Sequence, residues 1–403
     1  MPAKRTRTLS IQVNMKPTKI DGKLLLAALD LVGAGFSATT LTRVTMVAGD
    51  DGLGDCKVEV WDMEAMARAT AACNLGVKTD LSILVPSAQL EALLTKTGAA
   101  ELQISDKEKQ FGLKANTTKL QVPKIDETKT SKWVIPDEYA TQIELTRGRL
   151  IGSLASSIEE ILGTAAQIRG FQITALNGQV CLLATDGYRI YRALIKDEGV
   201  VKADNAEAML PVKLLKFLKV LDTANLPLGI GIKGDSYLLR AGVGELNLEV
   251  FGPALLTQYP DTTGLLASKP DHRFAISSSR LRGECELHQT LSTDKAAAGI
   301  FEFKETGLLI ETKGSLASNQ VNSDIELGDD YQILERKNDV KVGIRLKYLS
   351  DALKFMEVFG GKTGKVEIGI ATGTTGLVWI QPSQDVRDNH KEVEILSILA
   401  PVR

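Results

Sequence analysis

The chain has 403 residues, 44% of them hydrophobic and 24% charged, with 48 Lys and Arg against 50 Asp and Glu for a net charge of −2. That length sets a prior of two to three domains with ordinary cores, and no apolar run nears the ~20 residues that a membrane-spanning helix needs. A near-neutral balance excludes a protein that grips nucleic acid by charge alone, since such a domain is normally distinctly basic. The four cysteines, Cys56, Cys73, Cys181 and Cys285, show no CxxC spacing and imply free thiols in a reducing compartment rather than a disulfide framework.

The first residues, Met1-Pro2-Ala3-Lys4-Arg5-Thr6-Arg7, are basic with no apolar signal region behind them, and residues 1–8 read as a flexible tail. A helix opens at Asp21-Gly22-Lys23 and runs on through Leu29. Ile83-Leu84-Val85-Pro86 is an apolar strand end followed by a break and a second helix through Leu94. An alternating hairpin follows, with Leu102-Gln103-Ile104 set against Phe111-Gly112-Leu113. A polar, proline-bearing linker spans residues 123–137. The same text then repeats. A helix begins at Thr146, an N-cap residue, and ends near Leu162 before Gly163. Met209-Leu210-Pro211 leads into a second helix, and Ile230-Gly231-Ile232 pairs with Tyr237-Leu238-Leu239. After a second linker at 257–272 comes a helix capped by Ser277 or Ser278. Gly343-Ile344-Arg345 then leads into the last helix, and Ile368-Gly369-Ile370 pairs with Leu377-Val378-Trp379-Ile380.

Pro86, Pro211 and Arg345 lie 125 and 134 residues apart, and Leu90, Leu215 and Leu349 each sit four positions beyond them. Within each copy the two helix starts are separated by 67 (20 to 87), 66 (146 to 212) and 70 (277 to 347) residues. A period this long means three copies of a domain, each two helices packed on antiparallel sheet, so the fold class is α+β. The copies span 9–128, 137–262 and 270–403.

Catalytic constellations are few. His272, His288 and His390 show no metal-site spacing with Cys, Asp or Glu and read as surface or half-buried histidines. Gly360-Gly361-Lys362-Thr363-Gly364-Lys365 fails the phosphate-loop pattern, because Met356 stands where a glycine is required, and it reads as a helix C-cap turn. Gly242-Val243-Gly244 lacks the third glycine of a dinucleotide fingerprint and reads as a hairpin turn. No cofactor or metal is implied, and nothing announces an enzyme.

One motif stands apart. Leu182-Leu183-Ala184-Thr185-Asp186-Gly187-Tyr188-Arg189-Ile190 is a strand, a tight Asp-Gly turn and a resumed strand carrying an aromatic and an arginine. Downstream come Gln258-Tyr259-Pro260-Asp261, Tyr348 in the last helix, and the close Ile398-Leu399-Ala400-Pro401-Val402-Arg403. In this order these segments resemble the bacterial DNA polymerase III β subunit family, the sliding clamps. Val58-Glu59-Val60-Trp61-Asp62-Met63-Glu64 looks like a further family segment in the first copy. The resemblance covers the chain beyond its tail. It implies three clamp-type domains that form a ring as a homodimer in the cytoplasm. The ring would encircle duplex DNA without sequence readout, as a non-catalytic processivity factor that tethers DNA polymerase, a clamp loader and other proteins bearing a clamp-binding motif. A topological grip needs little charge, which suits the balance of this chain.

The resemblance also implies a cleft between the second and third copies that takes a short apolar peptide of the Gln-Leu-x-Leu-Phe type. Its walls here are Ile168, Thr185, Gly187, Tyr188, Arg189, Ile190, Pro260, Leu265, Arg345, Tyr348, Thr375, Leu377, Ile398, Ala400, Pro401, Val402 and Arg403. DNA-facing cations fall on or beside the repeat helices: Lys23, Lys96, Arg147, Arg149, Lys213, Lys216, Arg280, Arg282, Lys347 and Lys354. For the dimer contact, Phe111 and Leu113 on a candidate edge strand meet Thr290 and Leu291 of the other subunit. The chain departs from the family where Ala400 and Val402 replace methionines, and where Gly264 and Arg345 replace an arginine and an asparagine. Two rival classes use the same residues: a clamp-fold scaffold that binds peptides without encircling DNA, and a small-molecule enzyme built on Asp186, Tyr188 and Arg189.

Overall fold

A computed structural model of the chain describes residues 18–37, 40–48, 53–74, 80–98, 100–125, 133, 135, 141–145, 154–159, 170–196, 200–203, 205–220, 228–233, 235–256, 259–292, 297–313, 320–361, 364–371 and 376–402. The chain divides into two compact units, residues 1–134 with 245–249, and residues 135–244 with 250–403. The second and third copies read from the sequence therefore fall in a single unit, apart from residues 245–249.

In the first unit, helix α1 (Gly22–Gly33) starts where Asp21 Oδ1 accepts the backbone N–H groups of Lys23 and Leu24 at 2.8 and 3.0 Å, satisfying two of the donors that every helix start leaves open. Its buried stripe is Leu25, Ala28, Leu29, Leu31 and Val32. Helix α2 (Ser87–Thr97) follows strand Leu81–Pro86 and stops at Gly98, whose φ of +57° suits the left-handed cap and whose N–H donates to the Leu94 carbonyl. The two helices pack on each other, and α1 also covers strands Leu53–Trp61 and Met66–Asn74. A four-stranded antiparallel sheet runs in the order Thr18–Asp21, Glu101–Asp106, Gln110–Ala115, Thr118–Pro123.

That order corrects one expectation. The strand carrying Phe111 and Leu113 is not an edge strand, because it is paired on both sides and the edge is Thr118–Pro123. Phe111 and Leu113 are 8% and 0% exposed and belong to the core of their own unit. Alternation explains why: Leu102, Ile104, Leu113, Ala115 and Val122 all point to one face of the sheet, and that face is buried.

The second unit contains a helical turn over residues 154–159 (α3), α4 (Val212–Val220), the short α5 (Thr263–Ala267), α6 (Ser278–Leu291), α7 (Leu346–Gly360) and α8 (Gln384–Asn389). Most of Thr146–Gly163, including both predicted caps, lies outside the described residues. The linker read at 257–272 carries α5. Ser277 caps α6 through its hydroxyl, and α7 ends at Gly361 with φ +64° and an N–H donated to the Glu357 carbonyl, which makes the glycine-lysine run a helix end. A nine-stranded antiparallel sheet joins the copies in the order Ala206–Pro211, Gly170–Leu176, Gln179–Thr185, Arg189–Ile195, Val393–Leu399, Val378–Pro382, Lys365–Ile370, His272–Ser277, Tyr331–Glu335. The seam is the pairing of Arg189 with Leu399, Ile190 with Ile398 and onward to Ile195 with Val393. This seam sets the turn at Asp186-Gly187 beside the end of the chain.

The repeated register has one physical cause. Leu90, Leu215 and Leu349 are 0%, 1% and 0% exposed, so the same position in each second helix anchors its core, a burial worth roughly 1.5–3 kcal/mol per leucine. The predicted hairpins hold with Ile104 opposite Leu113, Ile230 opposite Leu239 and Ile368 opposite Ile380. Of the cysteines, Cys56 and Cys285 are buried free thiols and Cys181 is a half-buried one.

The histidines differ from expectation. His272 and His288 are both fully buried. His288 Nδ1 lies 2.8 Å from Thr312 Oγ1 and Nε2 lies 2.8 Å from Ser323 Oγ, while the Lys337 N–H donates to His272 Nδ1 at 3.3 Å. Burial pushes both pKa values below the ordinary histidine value, with nearby Glu284 opposing the shift at His288 and Asp271 at His272. Both rings are then neutral in the folded protein, and the unfolded chain takes up protons first as pH falls. Their contribution to stability is complete above about pH 6.5 and is lost as pH drops toward the folded-state pKa values, at up to ~1.4 kcal/mol per pH unit per histidine. Thermal unfolding should therefore show a melting temperature that declines from pH 7.5 to 5.5, and His288→Gln should flatten part of that decline. Parallel curves for the two proteins would refute the assignment to His288.

Candidate functional site

The turn at Asp186-Gly187 is built by its own side chains. The Thr185 hydroxyl donates to the Arg189 carbonyl at 2.7 Å and accepts the Gly187 N–H at 3.1 Å, while Asp186 Oδ1 accepts the N–H groups of Tyr188 and Arg189. Gly187 adopts φ +90°, a conformation that an L side chain rarely takes. The turn ejects Tyr188, which is 56% exposed, and turns Arg189 inward.

Arg189 is 1% exposed. Its Nε donates to Asp186 Oδ2 at 2.9 Å and its Nη1 to Asp351 Oδ2 at 2.6 Å, so one guanidinium ties the turn of the second copy to helix α7 of the third. Lys347 Nζ reaches the same Asp351 carboxylate at 3.1 and 3.2 Å. Both carboxylates are 4% exposed at the side chain, which makes this a buried, doubly paired network. The guanidinium also stands 4.4 Å from the Tyr348 ring centroid.

Above this base lies a tilted aromatic pair. The Tyr188 and Tyr348 rings are 6.4 Å apart, with the Arg345 guanidinium 5.1 and 5.2 Å from their centroids and its Nη1 donating to the Tyr348 hydroxyl at 3.0 Å. The terminal segment runs past it: the Ala400 N–H donates to the Tyr188 carbonyl and the Val402 N–H to the Gly343 carbonyl, both at 2.8 Å. Beneath, Leu183, Ile190, Leu377, Trp379 and Ile398 form one apolar cluster, with Tyr259 and Leu266 packed on it. Tyr259 is fixed by donating its hydroxyl to the Leu183 carbonyl at 3.1 Å. An open cavity of about 540 Å³ lies along the 254–263 segment and shares Tyr259 and Pro260.

The predicted wall residues thus separate into two groups. Gly187, Tyr188, Pro260 and Leu265 are exposed, and Arg345, Tyr348, Ala400, Pro401 and Val402 are half-buried, so a ligand can touch them. Thr185, Arg189, Ile190, Leu377 and Ile398 are buried and underlie the surface instead of forming it. In particular, Arg189 holds the turn and α7 together and has no side-chain surface to offer the polar part of a peptide. Ile168, Thr375 and Arg403 lie outside the described residues. Asp351 was missed in the sequence. Its only local signal is an acid on an otherwise core-facing stretch of α7, Leu349 to Leu353, where a buried charge requires a partner.

Among the predicted DNA-facing cations, Lys23, Lys96, Lys216 and Lys354 are exposed and Lys213 is half-buried. Arg280 pairs with Glu284, Arg282 with Glu286 and Glu357, and Lys347 with Asp351. Arg147 and Arg149 lie outside the described residues. Leu291 is 44% exposed, and the Thr290 hydroxyl bonds back to the Glu286 carbonyl. Among the described residues, no cluster of His, Cys, Asp and Glu could hold a metal ion, and no helix is long and apolar enough to cross a membrane.

Repeated helix pairs on antiparallel sheet, joined across a shared seam, define a clamp-type α+β protein. The fold is that of the bacterial DNA polymerase III β subunits. That of Thermotoga maritima matches with a TM-score of 0.77 over 96% of this chain and 100% of its own, at 16% sequence identity. The sliding clamp of Bacillus subtilis matches at 0.79 over 96% and 99%, also at 16% identity. The β clamp of Helicobacter pylori, solved in complex with Carprofen, matches at 0.79 over 96% and 100%, at 14% identity. No family model and no curated protein matches the sequence.

Proposed function

We propose that this chain is a DNA sliding clamp: a non-catalytic ring that encircles duplex DNA and tethers a replicative polymerase and other partners during processive synthesis. The observation that carries this reading is the match to clamp folds over 96% of the chain. The charge balance supports it, because a topological hold does not depend on phosphate contacts and tolerates a net charge of −2. Three domains per chain call for a head-to-tail homodimer, a heterologous contact that closes. In that dimer the exposed end of α6, with Thr290 and Leu291, meets the edge strand Thr118–Pro123 of the other subunit. Lys23, Lys96, Lys216 and Lys354 face the DNA, joined by Lys213, Arg147 and Arg149. Asp186 and Arg189 are engaged with each other inside the protein, which weakens the rival reading as an enzyme using them for acid–base work.

The surface around Tyr188, Tyr348, Leu265 and Pro401 then serves as the partner-peptide cleft. Each apolar anchor buried there contributes roughly 1.5–3 kcal/mol, and two or three anchors after ordering costs give about micromolar affinity.

The test is topological. The protein is dissociated by dilution, reassembled around nicked circular plasmid and passed through a sizing column at high salt. A clamp co-elutes with the circle and is released by a single restriction cut, while Leu291→Lys is a monomer by light scattering and is not retained. Wild-type protein that salt strips from circle and linear DNA alike would leave the scaffold reading in its place.

A further inference from the structure

We infer that Glu284 and Glu357 are positioning residues that withhold Arg280 and Arg282 from the phosphates of an encircled duplex, so that the helix pair of the third copy lets DNA pass without gripping it. The inference rests on the clamp reading above, in which the repeat helices face the DNA. Arg280 and Arg282 lie near the amino end of α6, and α6 packs on α7. Arg280 Nη2 is 2.8 Å from Glu284 Oε1, one turn along the same helix, and Arg282 Nη1 is 2.6 Å from Glu357 Oε2 on α7. The two acid side chains are only 7% and 11% exposed. Each also keeps one oxygen with no hydrogen-bond partner, Glu284 Oε2 and Glu357 Oε1. Among the described residues the arginine is the sole ion-pair partner of its acid.

Burial decides which group keeps the arginines. A pair between exposed side chains is worth little and yields to a competing phosphate, and the 3.5 Å contact of Arg282 with the exposed Glu286 is of that kind. A buried carboxylate stripped of its cation is strongly unfavourable, so the contacts to Glu284 and Glu357 persist when DNA is near. The exposed Lys23, Lys96 and Lys216 form no ion pair with a described residue and stay available to phosphates. A duplex moving through a ring must break each phosphate contact and remake it further on, so every such contact is a local barrier to sliding. Two free arginines on the α6–α7 face would add two barriers. Held by buried acids they add none, and the hold is left to topology and the lysines.

Fluorescence anisotropy with a labelled, blunt-ended duplex tests this, because a linear duplex reports contacts and not topology. Glu284→Gln combined with Glu357→Gln keeps the shape of both side chains. It should steepen the dependence of log affinity on log salt by about 1.8, roughly 0.9 for each freed arginine, and bind about tenfold tighter than wild type at about 0.05 M salt. Either single substitution should give about half of that change in slope, which keeps the test open if the pair destabilises the fold. Adding Arg280→Ala and Arg282→Ala should return the slope to that of wild type. Glu108→Gln with Asp329→Asn, both in exposed turns between strands, matches the change in net charge and should leave the slope unaltered. Melting curves check that each variant is folded. A wild-type slope in the folded Gln variants overturns the inference and leaves the clamp reading intact. A slope that stays steep without Arg280 and Arg282, or is matched by the charge control, overturns the assignment to these pairs. Lys216→Ala checks the reading itself: its slope should fall by about 0.9. No fall, together with no retention on circular plasmid, removes the clamp reading and this inference with it.

Discussion

Replacing Arg189 with methionine is expected to lower stability by about 3 kcal/mol, roughly 10 °C in melting temperature, and to abolish peptide binding although no ligand touches the guanidinium. Removing one partner of a buried ion pair leaves the other charge without compensation, and such losses run to about 3–5 kcal/mol. The lower end applies because the two carboxylates keep other partners. Asp186 still accepts the N–H groups of Tyr188 and Arg189, and Asp351 still holds Lys347. Methionine fills a similar volume, so the effect is one of charge more than of cavity. Binding fails for a geometric reason. Arg189 joins the turn that carries Tyr188 to the helix that carries Tyr348, and without it the two rings lose their common frame. Adding Asp351→Asn to Arg189→Met should recover part of the stability, since it removes a buried carboxylate left with Lys347 alone, and the two changes should be strongly non-additive. A melting temperature within a few degrees of wild type would show that the network carries little energy.

The contact between Arg189 and Asp351 has no signature in the local sequence. Helices and hairpins were legible because their signals are local: an Asp or Ser before an apolar stripe, an alternating pair of strands across a polar turn, and a leucine four residues after each break. The exposure of Tyr188 was legible for the same reason, since it follows an Asp-Gly turn that must lie at the surface. The partner of Arg189 is Asp351, 162 positions away, and no local pattern links them. An arginine beside a glycine turn reads as solvated unless that contact is known. Phe111 and Leu113 misled in a similar way. Their alternation correctly gave a strand, but edge or interior is decided by whether Thr118–Pro123 pairs alongside, which the two strands of the hairpin do not themselves reveal. His272 and His288 read as surface or half-buried residues because polar partners for a buried ring, Thr312 and Ser323 for His288, come from strands well separated in sequence.

Substituting Gly343 with alanine should weaken peptide binding at least tenfold while costing only about 1–2 kcal/mol of stability. Gly343 lies within strand Val340–Arg345, opposite Ile300. A Cβ built there would come within 2.6 Å of the Val402 carbonyl oxygen, a backbone atom that cannot swing aside. The terminal segment must then move outward, breaking the hydrogen bond from the Val402 N–H to the Gly343 carbonyl. Pro401 moves with it, away from Gly376, where a Cβ would already lie only 3.3 Å from the proline ring. The nine-stranded sheet ends at Leu399 and is not disturbed, which confines the stability loss to the terminal contacts. Affinity suffers more, because Ala400, Pro401 and Val402 form one side of the proposed peptide cleft. Deletion of residues 400–403 separates this account from general damage to the strand. The truncated protein should bind a Gln-Leu-x-Leu-Phe peptide as poorly as Gly343→Ala does. Adding Gly343→Ala to the truncation should leave its melting temperature unchanged, since the atom with which the new methyl collides is gone. A further drop in the double variant would place the strain within the sheet and not at the terminal segment.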